Sequence, residues 1–306
     1  MILSCGEALI DMLPRTTAAD EAAFAPYPGG AVFNTAIALG RLGAPAGFFS
    51  GLSSDLFGEI LQQALSASHV DASPSVISSR PTTLAFVKLV DGQATYAFYD
   101  ENTAMRMLTP ADLPALPDAV SALFFGGISL VGEPCGAAYE ALMAREAANR
   151  VIMIDPNIRP SFITDETAYR ARIERMIAMA DIVKLSDEDL HWLEGEGEIG
   201  ALARGLLDKG PKVICITEGA KGARGIMASG EVIVAAGKVE VADTVGAGDT
   251  FNAGVLAALH AAGVLTKAAL TDLDDRILTD ALRLGARAAA ITVSRAGANP
   301  PWANEV

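Results

Sequence analysis

An acid flanked by glycines, late in the chain, is the strongest candidate for chemistry. Segment 243–252 reads DTVGAGDTFN and lies between a strand-like run at 238–241 and an apolar helical run through Val255 and Leu259. Glycines permit a tight turn close to a ligand, and the free N–H groups at a helix start bind anions such as phosphate. Beside a phosphate, the Asp249 carboxylate makes sense if it takes a proton from an attacking hydroxyl. The segment therefore predicts a phosphoryl-transfer site, with helix capping by Asp249 as the structural alternative.

Two other nucleotide-binding motifs fit the chain poorly. In a G-x-G-x-x-G dinucleotide turn the third glycine would fall at Phe251, and no acidic ribose ligand follows at the required distance. The sequence contains no G-x-x-x-x-G-K-[ST] run, which excludes a P-loop enzyme.

The composition indicates a globular protein that does not bind nucleic acid. Its 306 residues are 51% hydrophobic, enough for a large core, and the formal net charge is −14. So negative a chain argues against nucleic-acid and membrane partners, and any phosphate site must be built locally. Cys5, Cys135 and Cys215 are widely spaced, which favours buried thiols in a reducing compartment. Because a basic leader and a membrane-length apolar run are both missing, we expect a soluble, cytoplasmic protein.

Apolar strand-like runs alternate with helical runs over most of the chain. This order predicts βαβ units and a mostly parallel, two-sided sheet, whose ligand binds beyond the carboxyl ends of the strands. The predicted strands are Ile2 to Leu9, Ala46 to Ser50, Ala122 to Phe125, Val151 to Ile154, Ile182 to Leu185, Val213 to Thr217 and Gly225 to Ala228. The predicted helices are Phe33 to Leu42, Leu56 to Ala67, Ala137 to Asn149, Tyr169 to Met179 and Ile199 to Leu207.

A predicted hairpin interrupts this alternation. Thr83 to Val90 and Gln93 to Tyr99 flank Asp91-Gly92, a dipeptide suited to a type I′ turn. We expect the hairpin to leave the main sheet, and the alternative is an extra antiparallel edge of that sheet.

Two segments resemble the signatures of the ribokinase/PfkB-type carbohydrate kinases. The C-terminal signature, D-T-x-G-A-G-D-x-F, fits 243–251 at every position. The N-terminal signature, Gly-Gly followed by Asn and a small-residue helix, is similar to GGAVFNTA at 29–36. The resemblance covers nearly the whole chain. It implies one domain over 1–306 with a ribokinase-like three-layer α/β/α fold, a mostly parallel central sheet and a small β-sheet lid formed by about 11–28 and 82–104.

The resemblance also implies the roles of residues on the acceptor side. Asp249 would be the general base, Gly246 would shape the turn, and the N–H groups of Ala247 and Gly248 would form an anion hole. Sugar binding is implied by hydrogen-bonding, backbone and aromatic groups: Asp11, Asn34, Gly29, Gly30, Phe86, Tyr96 and Phe98. Carboxylate and carboxamide groups suit a molecule rich in hydroxyls. The structural alternatives are an exposed strand-end charge for Asp11 and a plain loop-to-helix turn for the two glycines.

On the phosphate side, 155–159 reads DPNIR and is similar to a D-x-N-x-R motif of the family. Arg159 has the fork geometry that phosphate requires, and Asn157 would lie near the metal, although 155–157 also suits an ordinary Asx-Pro turn. Segment 184–189, KLSDED, is similar to the N-x-x-E region that supports Mg²⁺ through water. Asp stands in place of the family's Glu, which leaves the supporting carboxylate open among Asp187, Glu188 and Asp189.

On the nucleotide side, the resemblance implies contacts with ATP from two further segments. Segment 217–222, TEGAKG, is similar to a T-x-G-x-x-G turn of the family, and 289–298 is similar to the segment that closes the adenine pocket. Asp243 would help to bind a monovalent cation such as K⁺. The residues expected to contact ATP are Thr217, Gly219, Gly222, Lys184, Asn157 and Ala289.

The expected activity is transfer of the ATP γ-phosphoryl group, with Mg²⁺, to a primary hydroxyl of a ketohexose, D-fructose in the fructokinases that the chain resembles most. One alternative is a 2-keto-3-deoxygluconate kinase, or another small-sugar or nucleoside kinase of the family. That keto acid needs a cation in the pocket, whereas Asp100 and Glu101 follow Tyr99 here and Arg106 is the candidate substitute. An alternative of another class is a nucleotide-binding regulator without catalysis. The expected partners are the sugar, ATP and a second copy of the chain bound through the lid.

Overall fold

The structure is a computed structural model that describes the backbone of residues 1–90 and 93–306 and the side chains of residues 1–87 and 97–306. The predicted turn at Asp91-Gly92 therefore lies outside the described residues, as does the side chain of Tyr96.

Strands and helices alternate along the chain as the hydrophobic pattern predicts. The strands are β1 (Ile2–Cys5), β2 (Leu9–Thr16), β3 (Ala22–Gly29), β4 (Ala46–Phe49), β5 (Gly51–Ser53), β6 (Val70–Asp71), β7 (Val76–Ser78), β8 (Leu84–Val90), β9 (Gln93–Tyr99), β10 (Ala122–Gly126), β11 (Val151–Asp155), β12 (Ile182–Ser186), β13 (Val213–Thr217), β14 (Ala223–Met227) and β15 (Gly230–Val234). The helices are α1 (Ala31–Arg41), α2 (Leu56–Ala67), α3 (Cys135–Glu146), α4 (Glu166–Met179), α5 (Asp187–Glu194), α6 (Ile199–Leu207), α7 (Ala247–Ala261), α8 (Lys267–Thr271) and α9 (Asp275–Val293).

The main sheet contains nine strands within the described residues, in the order β15-β14-β13-β12-β11-β10-β1-β4-β6. All neighbours are parallel except the pairs β13/β14 and β14/β15, which are antiparallel. The strand order runs outward in both directions from β1 and β10. In an open α/β sheet, this point of reversal is where the crevice for a ligand forms.

Each central strand contributes side chains to two cores, one on either face of the sheet. In β11, Val151 and Met153 belong to a core covered by α1, α2, α7 and α9, whereas Ile152 and Ile154 belong to a core covered by α3, α4, α5 and α6. Successive side chains of a strand point to opposite faces, so an uninterrupted apolar run is what a sheet buried on both sides requires. The predicted three-layer fold is confirmed.

A separate four-stranded sheet has the order β3-β2-β8-β9. Strand β2 pairs antiparallel with β3 and parallel with β8, and β8 pairs antiparallel with β9. The hairpin therefore leaves the main sheet as expected, and the alternative of an extra edge on that sheet is wrong. The prediction that residues of about 11–28 and 82–104 form a lid remains a prediction.

One predicted strand is too long, and one strand-like run forms no strand. The run Ile2 to Leu9 breaks after Cys5, because the chain turns at Gly6 and Glu7 and continues in the small sheet from Leu9. Burial continues throughout this stretch, so hydropathy carries no sign of the break. The alternating run at 238–241 forms no strand, since β15 ends at Val234 and the following residues line a cavity instead.

Helix limits follow their local signals more closely. Helices α2 and α6 have the predicted bounds, and α2 begins where the Asp55 carboxylate accepts hydrogen bonds from the N–H groups of Phe57 and Gly58. Cys5, Cys135 and Cys215 are free and buried. Across the residues described, no helix combines the length and apolarity needed to cross a membrane.

Candidate active site

The glycine-rich turn forms the start of α7 at the carboxyl edge of the main sheet. Gly246 is the N-cap with a φ of 79°, and a Cβ added there would lie 2.7 Å from the Cβ of Ala298. Both the left-handed backbone and the lack of space therefore require glycine. No side chain caps this helix start. The capping interpretation of Asp249 is accordingly wrong.

The Asp249 carboxylate faces α1. Its Oδ2 accepts a hydrogen bond of 2.9 Å from Nδ2 of Asn34, and the Thr35 hydroxyl donates to its backbone carbonyl at 3.2 Å. Burial raises the pKa of Asp249 to about 7, against the effect of the Asn34 hydrogen bond. A carboxyl with a pKa near neutrality accepts a proton more readily than an exposed aspartate does, which suits a general base.

A buried polar network lies below the first turn of α7. Lys184 and Asp155 form an ion pair of 3.0 Å between Nζ and Oδ2, and Asn252 donates to the same oxygen at 2.7 Å. A Cβ at Gly248 would lie 3.1 Å from the Lys184 ammonium. Although burial disfavours the charged form, Asp155 and Asp189 raise the pKa of Lys184 above its ordinary value. A fixed positive charge therefore lies beneath the predicted anion hole.

The structure distinguishes among the three candidate acids of 187–189. Asp189 is buried, its Oδ1 accepts a hydrogen bond of 3.1 Å from the Ile158 N–H, and burial followed by the nearby Asp155 raises its pKa. Glu188 has an exposed side chain on α5. A helix places consecutive side chains on different faces, so Glu188 lies outside the buried network, and its support of a metal stays a prediction.

Asn157 and Arg159 lie at the rim of this network. Asn157 has a φ of 45°, and its N–H donates to Oδ1 of Asp155 at 3.2 Å, which is the Asx turn that was the alternative interpretation. The turn directs the next residues across the sheet edge. Arg159 is exposed and donates to the Ile158 carbonyl oxygen at 2.9 Å, and its charge partly opposes the rise in the pKa of Asp189.

A cavity of about 690 Å³ opens beside the start of α7. Four of the six predicted ATP contacts line it, together with the two predicted anion-hole residues: Thr217, Gly219, Gly222, Ala289, Ala247 and Gly248. Lys184 and Asn157 lie outside this lining. Small residues dominate the wall, so a flat ring can approach the backbone closely. Val239 and Val241 also line this cavity, although their alternation with polar residues is typical of a strand.

Asp11 lies within β2, opposite Tyr27 of β3 and Ala85 of β8, rather than beyond the end of the first strand as expected. A Cβ at Gly29 would collide with its carboxylate, so glycine keeps the space in front of it open. Burial raises the pKa of Asp11 to about 6. Gly29 is followed by Gly30 and by α1, which contains Asn34. The Asp11 carboxylate therefore lies next to the turn that leads into this helix.

The two described aromatic candidates of the hairpin lie on opposite faces of the small sheet. Strand pairing matches Asp11 with Ala85 and Ala85 with Phe98, which places Phe98 on the Asp11 face. There the ring of Phe98 contacts that of Phe162 at 4.4 Å between centroids.

Phe86 pairs with Met12 and lies on the other face, where its ring contacts those of Phe24 at 5.0 Å and Tyr99 at 5.4 Å. The structure therefore places Phe86 on the face of the small sheet opposite to Asp11, and its part in sugar binding stays a prediction. The sequence alone does not show which face Phe86 takes, because successive residues of a strand alternate between the two faces and the register is set only by strand pairing.

Two further predicted groups form ion pairs or hydrogen bonds with other residues of the protein. Arg106, the candidate partner for a substrate carboxylate, forms an ion pair with Asp100 and donates to the Glu133 carbonyl oxygen at 2.7 Å. Asp243 accepts hydrogen bonds from the N–H groups of Val245 at 3.0 Å and Gly297 at 2.9 Å. It thus connects the loop before α7 to the segment after α9.

Sequence reasoning missed Glu7. This residue is 1% exposed, and its carboxylate accepts hydrogen bonds from the first turn of α1. A charged residue inside an otherwise apolar run was the available signal, because a buried carboxylate needs dedicated hydrogen-bond partners.

The polar groups form a continuous series from the small sheet to the cavity. Asp11 faces Gly29, Gly29 leads into α1, Asn34 of α1 holds Asp249, and Asp249 directly follows Gly248 in the cavity wall. The Asp249 carboxylate therefore lies between a polar region, formed by Asp11 and Asn34, and a nucleotide-sized cavity.

Residues 1–305 match the family model of the pfkB family carbohydrate kinases. This chain belongs to the pfkB family of carbohydrate kinases. It is 59% identical, over 278 residues, to a fructokinase of Rhizobium leguminosarum bv. trifolii, a match covering 91% of this chain and 85% of that protein.

Two solved structures support the assignment to this family. A fructokinase from Xylella fastidiosa with bound ATP superposes with a TM-score of 0.87 at 30% identity, covering 97% of this chain and 93% of that one. A double mutant of fructokinase from Vibrio cholerae O395, with fructose, ADP and a potassium ion bound, gives 0.84 at 25% identity, covering 97% and 93%. The chain is thus a phosphotransferase of the ribokinase-like fold.

Proposed function

We propose that this protein phosphorylates D-fructose at its primary 6-hydroxyl, using ATP. The observation that carries the proposal is the position of Asp249, held by Asn34 on one side and adjoining the cavity wall at Gly248 on the other. The 59% identity to the Rhizobium fructokinase supports fructose as the acceptor.

The proposed reaction begins with a sugar bound between the small sheet and the Gly29–Gly30 turn, where Asp11 accepts hydrogen bonds from its hydroxyls. As the primary hydroxyl oxygen attacks the γ-phosphorus, its proton passes to the Asp249 carboxylate, and the bond from the phosphorus to the ADP oxygen breaks. The N–H groups of Ala247 and Gly248 stabilise the charge on the transferred group, with the Lys184 charge beneath them. Closure of the lid, formed by about 11–28 and 82–104, over the sugar would exclude water as a competing acceptor.

The residues present fit a Mg²⁺ ion that arrives with the nucleotide. Within the residues described, no group of three or more acidic, histidine or cysteine side chains is arranged to hold a metal by itself. Asp155 and Asp189 nevertheless supply hard oxygen ligands near the phosphate site, and the buried Oδ1 of Asn252 lacks a hydrogen-bond partner. When bound, Mg²⁺ neutralises phosphate charge, and Asp155 and Asp189 would hold it.

Two finer proposals concern a monovalent cation and a second copy of the chain. Asp243, which ties two loops together near the nucleotide cavity, is the carboxylate we assign to K⁺, and the potassium in the Vibrio structure supports this. The face of the small sheet that carries Phe86, opposite to Asp11, exposes Phe24 (48%) and Tyr99 (62%), which supports pairing between two copies. We place the reaction in the cytoplasm, where the free cysteines stay reduced.

The test is an assay that detects fructose 6-phosphate itself. Protein, MgATP and fructose are mixed, and the product is converted by phosphoglucose isomerase and glucose-6-phosphate dehydrogenase into NADPH. We expect NADPH in proportion to ADP, and none after EDTA is added. ADP release from another sugar or nucleoside, without release from fructose, would refute the assignment of fructose and leave the kinase assignment intact. No ADP from any acceptor would favour the non-catalytic regulator.

A further inference from the structure

Glu7 accepts hydrogen bonds from the backbone at the start of α1. Its Oε1 accepts hydrogen bonds from the N–H groups of Ala31 at 2.8 Å and Val32 at 3.3 Å, and its backbone carbonyl accepts from Phe33 at 3.2 Å. Its Oε2 accepts from the N–H of Ser129 at 3.3 Å. One residue therefore satisfies three donors that a helix start otherwise leaves free.

Helix α1 has no cap of its own. Its N-cap is Gly30, which contributes no side-chain hydrogen bond, so the contact with Glu7 replaces the usual Ser, Thr, Asp or Asn. Gly30 has a φ of 109°, and a Cβ there would lie 2.9 Å from the Glu7 carbonyl oxygen. Gly127, on the other side, faces the Glu7 carboxylate at a distance that no side chain would allow. The surrounding backbone is thus shaped to this carboxylate.

Glu7 also lies at the point where the order of the main sheet reverses. It follows β1, and Ser129 follows the neighbouring strand β10. The Glu7 carboxylate therefore connects the ends of β1 and β10 to the start of α1. Burial raises the pKa of Glu7, and the backbone N–H groups counteract this by favouring the charged form.

The first turns of α1 carry the groups that act on the sugar and on the base. Asn34 holds the Asp249 carboxylate, Thr35 holds the Asp249 backbone carbonyl, and Gly29 and Gly30 form the turn facing Asp11. A shift of α1 along its axis would move all of these groups together. The nucleotide cavity has no α1 residue in its lining.

We propose that Glu7 is the positioning residue of the acceptor half of the site. By fixing the start of α1, it places the Gly29–Gly30 turn for sugar binding and Asn34 for holding Asp249. This inference rests on the proposed sugar kinase activity. Within that activity, Glu7 affects sugar binding and the position of Asp249, and does not affect nucleotide binding.

The chemistry of the contact suggests the variant Glu7→Gln. Three backbone N–H groups meet two carboxylate oxygens, whereas Gln offers one oxygen and one NH₂ group that must face a donor. Glu7→Asp keeps both oxygens on a side chain shorter by one carbon. It gives a second comparison, which also serves if the Gln variant fails to fold.

The first experiment separates kcat from the two KM values, with fructose and MgATP as substrates. At pH 6.5 we expect Glu7→Gln to lower kcat several-fold, by no more than Asn34→Ala does, and to raise KM for fructose by about tenfold, with KM for ATP within about twofold of wild type. Glu7→Asp should give intermediate values. An equal rise in both KM values would overturn the proposal, as would kinetics indistinguishable from wild type for either variant.

A matched control is Asp181→Asn. Asp181 is also a buried carboxylate that accepts a backbone hydrogen bond, from the Ile152 N–H at 2.8 Å, but it lies outside the site. This variant should lower the melting temperature without changing either KM. If it raises KM for fructose as Glu7→Gln does, general destabilisation explains both effects and the proposal fails.

A double-mutant cycle tests whether Glu7 acts through Asn34. In an Asn34→Ala background, adding Glu7→Gln should have less than a twofold further effect on kcat, because the contact it positions is already absent. Full additivity in kcat would overturn the proposal. Wild type is assayed in every series: absence of fructose 6-phosphate there refutes the proposed function, whereas normal wild-type activity with unchanged Glu7 variants refutes only this inference.

Discussion

Replacing Asn34 with alanine should move the acid limb of the pH–kcat profile to higher pH. Asp249 works in its ionised form, so activity is present above its pKa and lost below it. Burial raises that pKa to about 7, and the Asn34 hydrogen bond of 2.9 Å opposes the rise. Without this donor the charged carboxylate loses a stabilising partner, so its pKa should rise further.

The size of the shift follows from the strength of one hydrogen bond to a charged group. Such a bond contributes about 1.5–3 kcal/mol, and its lower end corresponds to about one pH unit. At pH 6.5 the ionised fraction would fall from about 0.24 to about 0.03, so kcat should drop about eightfold. At pH 9 both proteins would be more than about 90% ionised, and this effect should nearly vanish.

The assay measures kcat at saturating fructose and MgATP from pH 6 to pH 9, as the ratio of variant to wild type at each pH. The ratio removes the titration of ATP itself. The matched control is Thr35→Val, which removes a hydrogen bond to the Asp249 backbone carbonyl and leaves the carboxylate contact intact. A pH-independent ratio for Asn34→Ala, or an equal shift of the limb in Thr35→Val, would refute the reasoning.

Three further predictions concern the sugar and nucleotide sides. Asp11, with a pKa of about 6, accepts more strongly from sugar hydroxyls when it is ionised, so KM for fructose should rise as pH falls through 6 in wild type and lose this dependence in Asp11→Asn; a flat wild-type profile would contradict this. Ala289→Phe places a large ring in the cavity and should raise KM for ATP by at least about tenfold without changing KM for fructose. Equal rises in both KM values would argue against this cavity as the adenine site. Since Arg106 is paired with Asp100, kcat/KM for fructose should exceed that for 2-keto-3-deoxygluconate by at least about tenfold, and the reverse preference in a side-by-side comparison would refute the fructose assignment.

Most of the fold follows from local signals in the sequence. Apolar runs such as 151–154 fill two cores, and helices with a clear start and period, such as Leu56–Ala67, have the predicted bounds. The strand that breaks at Gly6 was missed because its continuation is also buried, in a different sheet. Local hydropathy does not record which sheet a strand joins.

Some residues of the candidate site were predictable from local sequence and others were not. Asp249 and its glycines were predictable because a short contiguous segment defines their chemistry. The distinction between Asp189 and Glu188, and the face on which Phe86 lies, depends on helix phase and strand register. For Glu7, a charge inside an apolar run indicates that hydrogen-bond partners are needed but not which ones. Its partners at Ala31 and Ser129 are far from it in the sequence and come together only through the order of the sheet.

The central claim is that Asp249 is the base of a fructose kinase, and the most direct test is the turnover of Asp249→Asn. The amide keeps the shape of the side chain but cannot accept the proton. We predict that kcat for fructose 6-phosphate formation falls by roughly 10² to 10⁴, while calorimetric affinities for fructose and ATP stay within a few-fold of wild type. Wild-type kcat in this variant would contradict the account, because the carboxylate would then have no part in proton transfer.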